Sequence, residues 1–391
     1  MKTSIANIPI NRRRFNAWLA AGLATGLYPG MAQCRQKKAQ TLKVAALQMA
    51  PKLGDARANM EQAERLIRDA QKMGAQWIML PEMFTTAAAF HPDMLTAIQP
   101  VDGDPAQMMR RLARQGNSVI GGSFLASRNG EVYNSFLLVF PDGQAVRHDK
   151  DQPTYWENCY YRGGDDDGVL ATPVGDVGSV LCWEFIRSRT MRRLRGKIQF
   201  VLGGSCWWTL SDDVDEDHPF RAANLHMLRQ APVRCARMLG VPVIHASHAG
   251  PFNGFFSPDL ADLPYDSVYL GETMIVDADG QVLARREASQ GPGIVVSDIV
   301  IPQQAAPSLE IPESFWTPPE MPQPWKDSWL RWLESGAHYY DTVTRHYVQT
   351  GEVTEFIPEY MLRSSSTEMQ APAHFGTGVL CCDSYHQFRV R

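Results

Sequence analysis

Several signatures of common protein classes are missing from this 391-residue chain. No glycine-rich loop suited to holding a phosphate is found, because Gly163-Gly164 runs straight into Asp165-Asp166-Asp167, whose charge repels phosphate. Lysine and arginine form no tract interleaved with aromatic residues, and the net charge is −4. A short basic cluster, Arg192–Lys197, is interpreted as a solvated helix face. These absences argue against a phosphate-bearing cofactor and against a nucleic-acid partner.

Cysteine is also sparse, with seven residues in a long chain, too few for a disulfide framework. Only the first 33 residues carry a long apolar run. There Arg12, Arg13 and Phe15 precede an uncharged stretch that ends in small residues near Ala32, the order of a twin-arginine export signal. We expect cleavage after Ala32 and a periplasmic protein. The alternatives are acylation of Cys34, disfavoured by the preceding glutamine, and an uncleaved cytoplasmic extension.

The apolar pattern predicts strands that alternate with helices, interrupted by hairpins, and therefore an α/β protein with partly antiparallel sheets. The predicted strands are 43–49, 76–81, 118–124, 133–140, 145–148, 177–181, 199–202, 241–246, 272–276, 282–285 and 294–299; the predicted helices are 55–73, 105–115, 187–195 and 219–239. The stretch 42–300 contains no linker and is predicted to be one domain.

Residues 301–391 are predicted to form a C-terminal extension, first proline-rich and then helical over 326–348. Trp325, Trp329 and Trp332 share one face of that helix. Such a face fits a homo-oligomer contact, and the commoner alternative is packing on its own domain.

Three polar residues stand at the ends of predicted strands or hairpins, where α/β proteins place their sites. Cys182 is a candidate nucleophile at a strand-to-helix turn, where helix N–H groups favour the thiolate. Glu82 ends an apolar strand, so its pKa should be raised toward that of a general base. Lys150, with the N–H of Trp183, is suited to hold an oxyanion, and Glu157 to orient the lysine. Singly, these residues also fit a core thiol, a helix cap and surface charges.

Other residues offer competing sites. Cys206 repeats the strand-end setting of Cys182 and is the rival nucleophile, although we expect it to line the pocket at most. His245 and His248 are three apart in a predicted strand, so their side chains should point to opposite faces and not share a metal. Trp207 is a candidate pocket wall, with core packing as the alternative.

In chain order, these motifs resemble the nitrilase or carbon–nitrogen hydrolase superfamily over roughly residues 42–300. Leu80-Pro81-Glu82 is similar to the family's catalytic glutamate motif. The segment from Lys150 to Glu157 resembles the Lys-x-x-Pro-Thr-x-x-Glu of nitrilases, and Cys182-Trp183-Glu184 their Cys-Trp-Glu. A late hairpin at 271–280 also matches. Departures occur at Phe185 and Asn158, where nitrilases carry Asn and Arg, so the resemblance is to a diverged member of the nitrilase branch.

The resemblance implies a four-layer α-β-β-α sandwich, a Glu82–Lys150–Cys182 triad assisted by Glu157, and no metal or organic cofactor. It also implies hydrolysis of a small-molecule nitrile or amide, with nitrile to acid plus ammonia favoured. Trp183, Phe185 and Trp207 are the predicted substrate and oxyanion residues. The alternatives are an amidase or N-carbamoyl hydrolase with the same triad, and a catalytically inactive exported binding or assembly protein.

Overall fold

The computed structural model describes residues 40–258, 263–313, 333 and 335–353. The predicted export signal, Cys34, and the tryptophan face of Trp325, Trp329 and Trp332 lie outside the described residues. Within the described part, no helix has the length and apolar composition needed to cross a membrane.

Thirteen strands are found in the described ranges. They are β1 (Gln40–Met49), β2 (Trp77–Met79), β3 (Gln99–Pro100), β4 (Val119–Arg128), β5 (Glu131–Val139), β6 (Ala145–Asp149), β7 (Val169–Leu170), β8 (Val177–Leu181), β9 (Val201–Ser205), β10 (Val243–Phe255), β11 (Pro264–Val276), β12 (Val282–Glu287) and β13 (Gly293–Ile301). The helices are α1 (Ala56–Lys72), α2 (Asp93–Thr96), α3 (Asp104–Gly116), α4 (Ser188–Leu194), α5 (Pro219–Leu239) and α6 (Arg345–Thr350).

Twelve of the strands form two groups of six in the part of the chain that the structure describes, and we treat each group as one sheet. One sheet has the order β6-β5-β4-β2-β1-β13 and the other β7-β8-β9-β10-β11-β12, while β3 adds two residues to β4. The sheets meet where Gln48 and Met49 of β1 pair in parallel with Ser247 and His248 of β10. Parallel pairs lie at the centre of each sheet and antiparallel pairs outside them, so the sheets are partly antiparallel, as the sequence pattern predicts.

Three apolar cores separate the layers. Between the sheets, Trp77 and Phe200 meet edge to face with ring centroids 5.2 Å apart, among other apolar side chains of both sheets. Helices α1 and α3 cover the outer face of the first sheet, and α5, with α4, covers that of the second. The layer order is therefore α-β-β-α, and the predicted fold class is confirmed.

Local signals account for the helices well. Asp55 caps α1 by accepting a hydrogen bond from the N–H of Ala58, and Ala63, Ile67 and Ala70 form its buried stripe. The bounds of α5 agree with the prediction. By contrast, β10 and β11 each run to 13 residues, much longer than predicted, because Gly250-Pro251 interrupts the apolar pattern although the ladder continues through it.

Candidate active site

Side chains that follow strands of both sheets converge on one buried point. Glu82 comes three residues after β2, Lys150 directly after β6, and Cys182 directly after β8. The Nζ of Lys150 donates to Oε1 of Glu82 at 2.8 Å and to Oε2 of Glu157 at 2.7 Å. All four side chains are no more than 1% exposed. The structure thus brings together the four residues that the sequence singles out.

Cys182 occupies a strained position at the end of β8. It opens a five-residue 3₁₀ helix, Cys182–Ile186, and its φ of 49° lies in the left-handed region that non-glycine residues rarely adopt. Burial raises the pKa of the Cys182 thiol well above its usual value, and the Glu82 carboxylate adds to this, whereas Lys150 and a backbone hydrogen bond from Cys206 oppose it. The expectation that nearby N–H groups favour the thiolate is therefore wrong, because desolvation outweighs their effect.

The carboxylate of Glu82 is held by three donors. Besides Lys150, Nδ2 of Asn134 donates to Oε1 at 3.0 Å, and the backbone N–H of Cys206 donates to Oε2 at 2.9 Å. The Nε2 of His248 lies 2.8 Å from the backbone oxygen of Glu82 and donates to it. Both the side chain and the backbone of this glutamate are consequently fixed.

The electrostatics of the site follow from two buried carboxylates around one ammonium group. Burial raises the pKa of Glu82 above its ordinary value, against the attraction of Lys150. Burial alone would lower the pKa of Lys150, but Glu157 and Glu82 raise it well above its ordinary value. Lys150 thus stays a cation, and Glu82 has the raised pKa expected of a general base.

Glu157 lies on a second short 3₁₀ helix, Tyr155–Cys159. Its Oε2 accepts from Lys150, from the N–H of Thr154 at 2.9 Å, and from the hydroxyl of Tyr161. Oε1 of Glu157 is buried and has no hydrogen-bond partner among the residues that the structure describes. That oxygen is an available acceptor for a reacting group with N–H bonds.

An ionic network ties the Lys150 loop to the Cys182 turn. Glu184 accepts from the N–H of Leu181 at 2.8 Å and of Asp151 at 3.0 Å, and its carboxylate lies 3.2 Å from the imidazole of His148. Arg193 pairs with both Glu184 and Asp151 and is only 13% exposed. Interpreting the whole basic cluster as a solvated face was therefore wrong for Arg193, which lies against these buried acids.

The three predicted pocket residues have different surroundings. The ring of Trp183 lies 5.6 Å from that of Tyr155 and 6.1 Å from that of Trp207, centroid to centroid. Trp207 donates its indole N–H to Asn224 of α5 at 2.8 Å, so its ring is locked. Phe185 instead packs in the outer core, edge to face with His245 at 5.3 Å and against Gly203.

The two histidines make separate contacts, as their spacing predicts. His245 lies 2.8 Å from the hydroxyl of Ser205 and 3.0 Å from the backbone oxygen of Glu272, while His248 bonds to Glu82. Burial lowers the pKa of each to about 4. Among the described residues, no group of three or more metal-ligating side chains comes together.

Sequence reasoning missed the residues that support the four central side chains. Asn134, Tyr161, His248 and the backbone of Cys206 all bond to Glu82 or Glu157. Asn134 carried a usable signal, since it is an amide side chain inside a predicted strand that is otherwise mostly apolar. The N–H of Cys206 carried none, because a backbone donor leaves no mark in a sequence.

A scan against protein-family models matches the carbon-nitrogen hydrolase model over residues 43–305. Among curated relatives, an N-carbamoylputrescine amidase of Solanum lycopersicum is 32% identical over 158 residues, 38% of this chain and 52% of the relative. A cyanide hydratase of Armillaria gallica is 25% identical over 279 residues, 61% of this chain and 77% of the relative. A nitrilase of Pyrococcus abyssi is 31% identical over 160 residues, 39% and 60% of the two chains. The chain thus spans about half of the amidase's length.

Solved structures share the fold. A carbon-nitrogen hydrolase from Helicobacter pylori G27 superposes with a TM-score of 0.57 at 18% identity, covering 66% of this chain and 89% of its own. At this identity the likeness concerns the architecture, and it agrees with the α-β-β-α layers described above.

Proposed function

The chain belongs to the carbon–nitrogen hydrolase family, and from this premise we propose that it hydrolyses a nitrile to the acid and ammonia, with Cys182 as nucleophile. One observation carries the proposal. Lys150 joins Glu82 and Glu157 in a single buried ion cluster, and this cluster is close enough to the Cys182 thiol to influence its pKa.

The first half-reaction begins with the protonated thiol. Glu82 accepts the thiol proton as the sulfur attacks the nitrile carbon, and the proton passes to the nitrile nitrogen to give a thioimidate. The positive charge of Lys150 and the backbone N–H of Trp183 stabilise negative charge that develops on the reacting group. Removing the proton only during attack avoids a buried resting thiolate, which desolvation makes costly.

The second half-reaction consumes two waters. One water adds to the thioimidate and ammonia leaves, so that a thioester remains on Cys182; Glu157 is placed to accept hydrogen bonds from the departing nitrogen. A second water, deprotonated by Glu82, attacks the thioester, releases the acid and returns the proton to the sulfur. With an amide, attack of the Cys182 sulfur on the carbonyl carbon gives the same tetrahedral adduct directly, and loss of ammonia then leaves the thioester.

Aromatic side chains favour an apolar organic group on the substrate. Tyr155 and Trp207 lie beside Trp183, and Trp156 stacks on Trp208 at 4.4 Å between ring centroids. The motifs around Lys150 and Cys182 resemble those of nitrilases, and the similar proteins include a nitrilase and a cyanide hydratase as well as the amidase. We therefore place a nitrile ahead of an amide or an N-carbamoyl compound.

The test is ammonia release by the purified protein from matched sets of nitriles, primary amides and N-carbamoyl compounds. We expect acid and ammonia from nitriles, with little free amide, and a covalent adduct of substrate mass on Cys182 when the reaction is quenched. Turnover of amides alone would replace the nitrilase activity with an amidase activity. Absence of turnover throughout, with Cys182 unreactive to a thiol reagent, would favour an inactive binding protein.

A further inference from the structure

A helical segment, residues 335–350, follows the stretch that matches the family model. Its middle part, Tyr340–Thr344, is π-helical, and α6 completes it. The segment packs one side against the domain, and its buried residues are Gly336, Tyr339, Tyr340, Val343 and Thr344. We call residues 335–350 the C-terminal buttress.

The buttress touches the short helix that carries Glu157. The hydroxyl of Thr344 donates to the backbone oxygen of Cys159 at 2.5 Å. Gly336 lies so close to Asn158 that a Cβ on the glycine would be 2.6 Å from the Cβ of Asn158. Asn158 and Cys159 directly follow Glu157 on that helix, so both contacts fall within two residues of the carboxylate.

Two further contacts anchor the buttress beside the site. The hydroxyl of Tyr340 accepts from the N–H of Val132 at 2.9 Å and donates to Glu131 at 2.6 Å. Val132 is on β5, two residues before Asn134, which bonds to Glu82. The ring of Tyr339 is fully buried and meets Phe90 edge to face at 5.3 Å, in the segment that follows Glu82.

We propose that the C-terminal buttress positions Glu157, and through it Lys150, for the reaction, with Thr344 as a positioning residue. The inference rests on the proposed function. A five-residue 3₁₀ helix has few internal hydrogen bonds and poor geometry, so its orientation depends on what packs against it. The oxygen of Glu157 that binds Lys150 therefore owes its place partly to residues almost two hundred positions later.

The central test compares Thr344→Val with wild type. The substitution keeps the shape and removes the hydroxyl that bonds to Cys159. We expect kcat to fall about 10- to 100-fold with KM little changed, as expected for a misplaced catalytic group. Lys150 stabilises developing charge only when protonated, and Glu157 raises its pKa, so the loss of kcat at alkaline pH should begin at a lower pH in Thr344→Val than in wild type. Thr344→Ser, which retains the hydroxyl, should behave as wild type.

Two controls separate positioning from general loss of stability. Thr350→Val alters the exposed end of the same helix, where the hydroxyl donates to the backbone oxygen of His346 and accepts from the N–H of Glu352, and it should leave kcat and its pH profile unchanged. In a Glu157→Gln background, Thr344→Val should lower kcat no further, because its effect acts through Glu157.

Hydrogen–deuterium exchange supplies a readout that needs no turnover. Amides of residues 154–161 should exchange faster in Thr344→Val and in the more disruptive Gly336→Ala, and not in Thr350→Val. Unchanged exchange in that segment, or a loss of kcat that adds fully to that of Glu157→Gln, would overturn the proposal. A wild-type protein inactive on every substrate would count against the proposed function, while the exchange result would still decide whether the buttress holds Glu157.

Discussion

At the scale of single residues, buried charges determine the properties of the site. Glu82, Lys150 and Glu157 are fully enclosed, and two carboxylates share one ammonium group. Burial, and after it the surplus negative charge, raises the pKa of Cys182, so the thiol keeps its proton until Glu82 removes it. A base with a raised pKa beside a thiol with a raised pKa suits proton transfer that accompanies attack.

The raised pKa of Glu82 predicts an acid limb in the pH profile of kcat/KM. Glu82 acts as a base only when deprotonated, so activity should be lost as pH falls through a pKa above the ordinary 4.5. Glu82→Gln should remove this limb and lower kcat/KM about 10²- to 10⁴-fold. Steady-state rates across the acid range check both points. A midpoint at or below 4.5 would contradict the assignment.

The two cysteines at strand ends should differ sharply on substitution. Cys182→Ala should abolish turnover and the covalent adduct seen by mass spectrometry, because it removes the nucleophile. Cys206→Ala should retain most of the activity, because Cys206 serves Glu82 through its backbone N–H, which alanine also supplies. If Cys206→Ala were the inactive variant, the roles given to the two thiols would have to be exchanged.

At the scale of secondary-structure elements, short segments are held by partners outside themselves. The network of His148, Asp151, Glu184 and Arg193 joins the end of β6 to the turn after β8. Phe185 of the same turn packs against Gly203 of β9, where the missing side chain allows close contact. Neither Lys150 nor Cys182 is positioned by its own strand alone.

His148 should make stability depend on pH in the alkaline range. Burial alone would lower its pKa, but Glu184 and Asp166 raise it to about 10 from an unfolded value of 6.5. The stabilisation is therefore complete below pH 6.5 and is lost as pH rises through 10. Urea unfolding at several pH values should show this slope. His148→Gln should abolish it and lower the free energy of unfolding at neutral pH by about 3–5 kcal/mol, whereas the exposed His226→Gln should preserve it.

Gly204 on β9 should be required for the position of Glu82. A Cβ there would be 2.7 Å from the backbone nitrogen of Glu82 and 3.0 Å from the carbonyl carbon of Pro81, atoms that move only with the chain. Gly204→Ala should lower kcat about 10- to 100-fold. Gly196→Ala is the control. A Cβ on Gly196 would meet no other atom, but the φ of +75° disfavours alanine, so the substitution should lower stability slightly and leave kcat unchanged. Equal kcat values in the two variants would contradict the prediction.

At the scale of the whole molecule, the residues of the α-β-β-α sandwich form the middle of the chain, and further residues precede and follow them. Residues 302–313, which follow β13, contain neither helix nor strand, in agreement with their proline content. The hydroxyl of Thr344 then reaches Cys159 across 185 positions of sequence. The homo-oligomer expected from the tryptophan face of residues 325–332 stays a prediction.

We propose that residues 1–33 act as a twin-arginine signal and that the protein is exported. The double substitution Arg12→Lys and Arg13→Lys should leave the full-length chain in the cytoplasm, because the export machinery reads the paired arginines. Wild type should appear in the periplasmic fraction with Gln33 as its first residue, which fractionation and N-terminal mass spectrometry will check. An intact wild-type N-terminus in the cytoplasm would support the unexported alternative.

The amino-acid sequence alone determined the element types and the four central residues. Helix caps such as Asp55 and the apolar periodicity depend on neighbours a few residues away, so they can be identified from the sequence. Glu82, Lys150 and Cys182 were visible because polar residues at the ends of apolar strands are conspicuous, and their order resembled a known family. The same alternation of elements indicated an α/β protein with partly antiparallel sheets, and the four-layer order came from the resemblance to that family.

Only the tertiary structure decided how these residues interact. Lys150 and Glu82 are 68 positions apart, and Cys206 and Glu82 are 124 apart, so no local pattern encodes their hydrogen bonds. The raised pKa of Cys182, the packing of Phe185 against His245, and the burial of Arg193 all depend on which side chains surround them. Desolvation is a property of the assembled core, and the sequence does not display it.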